Sequence, residues 1–195
     1  MRKLRIKALL ATSILAVALT GPWWGSACSR GRSHSGGELP NIVLISLDTL
    51  RADHMGVYGY PHDTTPNLDD WSRRASVFTQ AQAPANNTLE SHLSIFTSTH
   101  PVVHGVRMIE HLDGKRGHRP LDPRYVTLAE RLKAAGYLTA AFVYSCYWLD
   151  AEFGFDRGFD AYHVVEKNAT AMNEELVFPW LEQRRDRPFF LFVHY

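Results

Sequence analysis

The chain of 195 residues has few cysteines, no excess of charge of either sign and no internal repeat. Two cysteines cannot form a disulfide framework, which argues against a small disulfide-stabilised domain. A formal net charge of +1 leaves no basic surplus to neutralise phosphates, so no nucleic-acid partner is expected. The hydrophobic content of 45% and the charged content of 21% are ordinary for a globular chain of one domain.

The first residues have the three parts of an export signal. The segment "MRKLRIK" is basic, "ALLATSILAVALT" is apolar, and "GSA" is a small-residue cleavage site before Cys28. We therefore predict a signal peptide over residues 1–27 and a location in the bacterial periplasm or cell envelope. The apolar run is short for a membrane span, although "GPWWG" could extend it into an uncleaved anchor. Because Cys28 follows Ser26-Ala27 as in a bacterial lipobox, lipid attachment at Cys28 is the alternative to simple cleavage.

After a Gly/Ser-rich tether over residues 28–39, strand-like and helix-like segments alternate. The continuous apolar or alternating runs that indicate strands are NIVLISLD, SVFTQAQA, YLTAAFVYS and PFFLFVHY. Helices are predicted to begin at Thr65-Pro66, at Asn87, at Thr127 and, with a kink near Pro179, at Thr170. This alternation predicts an α/β fold with a mostly parallel sheet flanked by helices. Because the last apolar run stops at Tyr195, we expect residues 40–195 to be an incomplete domain.

The helix in the segment "NNTLESHLSIFTSTHPVVHG", residues 86–105, has two interpretations at its first turn. Thr88 can be an ordinary capping or first-turn hydroxyl. Alternatively, Asn87 and Glu90 cap the helix, and the Thr88 hydroxyl is left beside the amides that can bind a sulfate or phosphate group. Three apolar residues of this helix are spaced to pack inward: Leu89, Leu93 and Phe96.

Asp48 ends a buried apolar run, where a carboxylate is costly unless it is paired or binds a cation. The alternative is an aspartate that only starts a turn. No segment matches the H-E-x-x-H zinc motif, a Walker loop or a G-x-S-x-G elbow. Cys146 is predicted to be a small buried hydrophobic residue.

Ten histidines are many for this length, and histidine suits metal ligation and proton transfer near neutral pH. One group lies around the helix of residues 86–105 and consists of His92, His100, His104 and His111. The others considered are predicted to be solvent-exposed: His34, His62 and His118.

Taken together, five collinear segments resemble the N-terminal half of sulfatase-type enzymes in the alkaline phosphatase superfamily. They are "PNIVLISLDTLRADHMGVYGY", "TPNLDDWSRRASVFTQAQA", "TLESHLSIFTSTHPVVHGV", "TLAERLKAAGYLTAAF" and "FGFDRGFD". The resemblance runs from Pro40 to Tyr195 and implies an alkaline phosphatase/sulfatase-like fold. It also implies a metal-dependent hydrolase or transferase acting on sulfate or phosphate/phosphonate esters of a small molecule, glycan or lipid.

The resemblance implies a role for several residues. Asp48 matches the aspartate that closes the first strand and binds a divalent metal. "TLESH" stands where the family has a C/S-x-P-S-R helix, which places Thr88 at the nucleophile, with its oxygen also at the metal. Ser91 matches the family serine, and His104 matches the histidine of the trailing H-G pair. His92 or His104 is then expected to bind a nonbridging oxygen or to protonate the leaving alcohol.

Departures from the family pattern narrow the choice of cofactor. Formylglycine is not expected, because threonine replaces the convertible residue, Glu90 replaces the proline and His92 replaces the arginine. Thr49 stands in place of a second metal aspartate, and "AAFVYSCYW" replaces a G-K-W-H-L-G stretch whose lysine contacts sulfate. One divalent metal is expected, with calcium favoured and manganese, magnesium or zinc as alternatives.

Threonine at the nucleophile resembles branches that cleave phosphonate esters or move glycerol-phosphate groups. In those branches an Asp-His pair, expected beyond Tyr195, completes the metal site. Two other hypotheses stay open. The chain could be a noncatalytic surface lipoprotein that binds anionic glycans, or an inactive truncated fragment.

Overall fold

The computed structural model describes residues 39–107, 109–110, 116–117, 119–166, 168–183 and 186–195. The predicted signal peptide, the lipid attachment at Cys28 and the predictions for three histidines lie outside these ranges: His34, His111 and His118. Within the described part of the chain, every helix is too short or too polar to cross a bilayer.

Among the described residues, six strands form two sheets. They are β1 (Ile42–Ser46), β2 (Ile109–Glu110), β3 (Arg116–Gly117), β4 (Leu138–Tyr144), β5 (Ala161–Val165) and β6 (Phe189–His194). The main sheet has the order β1-β6-β4-β5 with every pair parallel, and β2 pairs with β3 as a small antiparallel ribbon. The parallel sheet and the helices that flank it confirm the predicted α/β fold.

The helices are short. They are α1 (Pro66–Ser72), α2 (Thr88–Thr97), α3 (Pro101–His104), α4 (Leu128–Ala134), α5 (Ala169–Met172) and α6 (Phe178–Glu182). The predicted helix start at Thr127 is confirmed at α4, where Thr127 and Glu130 form a capping box in which each side chain accepts from the other residue's backbone amide. The predicted helix near Pro179 is α5 and α6 joined by a π-helical turn over Asn173–Val177, directly before the proline-containing turn.

The side chains of β6 fill both faces of the sheet. Every residue of this strand is buried, because β6 lies between β1 and β4 and has layers on either side. Phe190 and Phe192 face the layer that contains α2, whereas Leu191 and Val193 face the layer that contains α5. The predicted inward face of α2 is confirmed, since its three apolar residues are buried: Leu89, Leu93 and Phe96. Each such side chain stabilises the fold by about 1.5–3 kcal/mol, so α2 is firmly docked on the sheet.

Two predictions about strands were wrong. The segment SVFTQAQA has no regular secondary structure, and its residues are exposed, Phe78 by 73%. Its alternation of polar and apolar residues resembles a strand, but within the described ranges no strand lies beside it. Conversely, β5 was missed. It lies at one edge of the described sheet, and its exposed residues His163 and Val164 leave it without the continuous apolar run of a central strand. β1 lies at the opposite edge and has such a run, although Val43 and Ile45 are exposed.

Candidate active site

The carboxyl ends of three neighbouring strands converge at one edge of the sheet. Asp48 lies two residues after β1, His194 is the last residue of β6, and Cys146 lies two residues after β4. Ladder bonds hold this edge together, since the amide of Asp48 donates to the carbonyl of Tyr195 at 2.8 Å. One ligand atom from each of the three side chains lies within 4.8 Å of the other two. Parallel sheets place their sites at this edge.

The hydroxyl of Thr88 contacts this edge from the first turn of α2. Asn87 caps the helix, because its Oδ1 accepts from the amide of Glu90 at 3.0 Å. The interpretation in which Asn87 rather than Thr88 caps the helix is therefore confirmed. Thr88 Oγ1 instead donates to Asp48 Oδ2 at 2.9 Å. The first hydrogen bond of the helix runs from the amide of Ser91 to the carbonyl of Asn87. The amides of Thr88 and Leu89 come before it and therefore have no acceptor within the helix.

The two carboxylate oxygens of Asp48 have different contacts: one stabilises the turn and the other faces the site. Its Oδ1 accepts from the amide of Thr49 at 2.9 Å, which is the turn contact considered as the alternative role. Its Oδ2 accepts from Thr88 and lies 3.5 Å from His194 Nε2. Thr49 has a left-handed backbone with φ of +61°, an uncommon and costly conformation for a β-branched residue. Ser145, just before Cys146, has φ of +38°, so strained backbone flanks two members of the cluster.

His92 links α2 to β1. Its Nδ1 lies 2.8 Å from the carbonyl oxygen of Thr88, and because a carbonyl only accepts, Nδ1 carries the proton. Its Nε2 then accepts from the hydroxyl of Ser46 at 2.8 Å. Burial lowers the pKa of His92, which favours this neutral form. The ring therefore fixes Thr88 against the end of β1.

His104 forms hydrogen bonds to the turn that follows it and to α2. Its Nδ1 accepts from the amide of Val106 at 3.1 Å, and its Nε2 contacts Ser94 Oγ at 3.1 Å. Ser94 in turn donates to the carbonyl of Glu90 at 2.9 Å. Burial lowers the pKa of His104. These bonds connect α3 to α2 through Ser94. The catalytic role expected for His104 stays a prediction.

His194, which the sequence analysis did not select, is the most unusual member of the site. Its side chain is 2% exposed, and within the described residues neither ring nitrogen has a hydrogen-bond partner. Burial lowers the pKa of His194, so its neutral imidazole, the form that ligates metals, is favoured. A buried polar group without a partner costs about 1–3 kcal/mol. Like Asp48, it is a polar residue that closes a continuous apolar run, which is the signal that could have identified it.

Cys146, predicted to be buried, is only partly buried against the core, and its sulfur belongs to the cluster. Burial raises the pKa of its thiol. Of the remaining histidines, His62 is exposed as predicted, and His100 caps α3 by accepting from the amide of Val102. Carboxylate, thiol and neutral imidazole are all cation ligands, and the unpartnered nitrogens of His194 point to one, so these residues fit a divalent metal.

Comparison with known proteins identifies the family. The Sulfatase family profile matches residues 40–195, so the chain belongs to that family. Human arylsulfatase A is 40% identical over 100 residues, a match that covers 51% of this chain and 19% of arylsulfatase A. The chain thus spans well under two thirds of the relatives it matches.

Two solved structures share the fold. The phosphonate monoester hydrolase of Agrobacterium radiobacter superposes with a TM-score of 0.61 at 18% identity, over 80% of this chain and 40% of that one. The C-terminal periplasmic domain of EcEptC from Escherichia coli, in complex with zinc, superposes with a TM-score of 0.56 at 21% identity, over 83% of this chain and 44% of that one. At these identities the likeness shows the fold alone.

Proposed function

We propose that this chain carries the nucleophile of a metal-dependent hydrolase or transferase that cleaves sulfate or phosphate/phosphonate esters, and that the nucleophile is Thr88. The observation that supports this most directly is the 2.9 Å contact between Thr88 Oγ1 and Asp48 Oδ2. It places a hydroxyl and a carboxylate together at the N-terminus of a helix of ten residues, where a negatively charged group is stabilised. Family membership supports ester hydrolysis in general.

The reaction begins at the hydroxyl of Thr88. Its oxygen attacks the sulfur or phosphorus of the ester, and its proton passes to water, because the Asp48 carboxylate that accepts its hydrogen bond is assigned to the cation. The bond from sulfur or phosphorus to the ester oxygen breaks, and the alcohol leaves after taking a proton from water. The first amides of α2 stabilise the charge on the nonbridging oxygens. Water or a second alcohol then attacks the threonyl ester, takes up the transferred group and regenerates the Thr88 hydroxyl.

Asp48 and the oxygen of Thr88 are the proposed metal ligands, with the imidazole of His194 3.5 Å from the carboxylate. When bound, a divalent cation supplies Lewis-acid activation of the hydroxyl and of the ester oxygen. His92 and His104 use their ring nitrogens in internal bonds. We therefore propose that they position the first turn of α2 rather than transfer the proton expected of them.

The choice between sulfur and phosphorus depends on the second half of the reaction. Threonine lacks the geminal hydroxyl with which formylglycine expels sulfate by breaking a carbon–oxygen bond. A second attack is more accessible at phosphorus than at sulfur, which favours phosphate or phosphonate esters. Arylsulfatase A and the phosphonate monoester hydrolase represent the two alternatives. Both aryl sulfates and aryl phosphonate esters should therefore be offered as substrates.

The test is the variant Thr88→Ala in the purified protein with added divalent metal. Turnover of both chromogenic esters should fall by about 10²-fold or more, because the nucleophile is removed. Thr97→Ala is the matched control: Thr97 lies at the other end of α2 and donates to the carbonyl of Leu93 at 2.7 Å, so turnover should persist. Turnover by Thr88→Ala within a few-fold of the parent would end the proposal. Intact mass of the parent after brief exposure to substrate should also show the transferred group on Thr88.

We also propose that the protein acts outside the cytoplasm, after export by its N-terminal segment, with Cys28 as an attachment point to the membrane. The basic and apolar composition of that segment supports this. Mass analysis of the mature N-terminus, after expression in a bacterial host, separates cleavage before Cys28 from retention. Acylation at Cys28 would be visible in the same spectrum.

A further inference from the structure

We propose that Asp48, Cys146 and His194 form a thiolate-containing cation site that selects a zinc-like metal over calcium. The inference deepens the proposed function, because it assigns the metal of the same site. It replaces the calcium that the family resemblance favoured. It also assigns the cysteine and the buried histidine a chemical role in this chain.

The first argument is geometric. The three donor atoms lie within 4.8 Å of one another although they come from three different strand ends. Donor atoms that share one tetrahedral zinc ion lie about 3.3–3.6 Å apart, given zinc–nitrogen, zinc–oxygen and zinc–sulfur bonds of about 2.0–2.3 Å. The observed limit of 4.8 Å is wider than that spacing by about 1.2–1.5 Å.

The second argument is the state of His194. A histidine that served only for packing would be expected to satisfy its nitrogens, as His92 and His104 do. His194 is buried between β1 and β4 and, in the described part of the chain, has no hydrogen-bond partner for either nitrogen. Its Nε2 lies on the side of Asp48, at 3.5 Å from Oδ2. An electron-pair acceptor shared with Asp48 would satisfy that nitrogen.

The third argument is the chemistry of the donors. Calcium takes six to eight oxygen ligands, and neither an imidazole nor a thiolate suits it. Zinc and its neighbours in the first transition row bind sulfur, nitrogen and carboxylate oxygen in sets of about four. One carboxylate, one thiolate and one imidazole supply three donors of such a set, and the Thr88 oxygen lies beside the same carboxylate. Cys146 loses its proton to solvent when the cation binds, so no oxidant or reductant is required.

The experiment uses the metal-stripped full chain and Co²⁺ as a spectroscopic substitute for Zn²⁺. We expect one equivalent of Co²⁺ to produce a thiolate-to-cobalt charge-transfer band in the near ultraviolet, and Zn²⁺ but not excess Ca²⁺ to abolish it. Cys146→Ser should remove the band and weaken Zn²⁺ binding by about 10–100-fold. The only other cysteine in the sequence provides the matched control, so Cys28→Ser should keep the band.

Each other outcome overturns the inference in a recognisable way. Co²⁺ binding without the band, or with a band that survives in Cys146→Ser, means that the thiolate is not a ligand. Displacement of Co²⁺ by Ca²⁺ means that the site prefers hard oxygen donors. In both cases the nucleophile proposal survives and is still decided by Thr88→Ala. Because the variant could fold poorly, alkylation of Cys146 in the parent chain is measured as well, and failure of Zn²⁺ to protect the thiol also overturns the inference.

Discussion

At the scale of single residues, the histidines around α2 separate into two kinds. His92 and His104 have a defined tautomer because a backbone group fixes one nitrogen of each ring: the Thr88 carbonyl accepts from His92, and the Val106 amide donates to His104. Both rings are therefore held neutral inside the protein. His194 has no such constraint within the described residues, and this difference supports the proposal that it is a metal ligand.

The tautomer of His104 leads to a prediction about pH. Burial lowers the pKa of His104 from 6.5 and outweighs the opposing effect of Glu90, so the unfolded chain binds this proton more readily than the folded chain. The contribution of His104 to stability is therefore fully present above about pH 6.5 and is lost as the pH falls towards the lower, folded-state pKa. His104→Asn keeps a side-chain acceptor for the Val106 amide but cannot take up the proton. The parent should lose stability relative to this variant on acidification.

Urea unfolding of both proteins, at about one pH unit above and below 6.5, measures the effect. His62→Asn is the control, because His62 is an exposed histidine that is not among the groups acting on His104. This control should keep the pH dependence of the parent. If His104→Asn and the parent respond to acid in parallel, His104 is not the group that titrates.

At the scale of the elements, the cap of α2 couples helix stability to the site. Asn87→Ala removes the acceptor of the Glu90 amide, and loss of such a cap costs about 0.5–2 kcal/mol. Asn168→Ala removes the same type of cap from α5, where Asn168 accepts from the amide of Ala171 at 2.8 Å. We expect both variants to lose stability in urea unfolding. Only Asn87→Ala should also lower turnover, because only its helix carries Thr88. Equal turnover in the two variants would show that the first turn of α2 needs no cap to position the nucleophile.

The elements also show which parts of the fold a sequence can reveal. β4, β6 and α2 were predicted because burial on both faces, or on one helical face, leaves a strong apolar pattern. β1 was predicted from its apolar run, but the expected burial was wrong, since Val43 and Ile45 are exposed at the edge of the described sheet. The edge strand β5 leaves a weak pattern, since His163 and Val164 face solvent. The segment over residues 76–83 shows the converse: a strand-like alternation does not make a strand without a neighbour to pair with. Pairing depends on tertiary structure, which a local pattern does not contain.

At the scale of the whole molecule, the site is assembled by strand order. Asp48 and Thr88 could be selected from the sequence because each lies at the end of a recognisable element and matches a family motif. His194 closes an apolar run as Asp48 does, but neither it nor Cys146 could be placed beside Asp48 from the sequence, because no local pattern says that β6 inserts between β1 and β4. That insertion brings together three strand ends that lie between about 50 and 150 residues apart in the chain.

A site built from three distant strand ends should stabilise the entire fold when it binds a cation. The unfolded chain cannot present Asp48, Cys146 and His194 together, so binding adds to the free energy of unfolding, by about 2.7 kcal/mol at a free metal concentration of 100 times Kd. Thermal unfolding of the metal-stripped protein should therefore shift upwards with Zn²⁺ and return with a chelator. Asp48→Asn should abolish the shift, whereas Asp53→Asn, which removes an exposed carboxylate paired with Arg51, should retain it. If stripped and zinc-loaded protein unfold at the same temperature, the three strand ends do not share an ion, and Thr88 must act through the carboxylate of Asp48 alone.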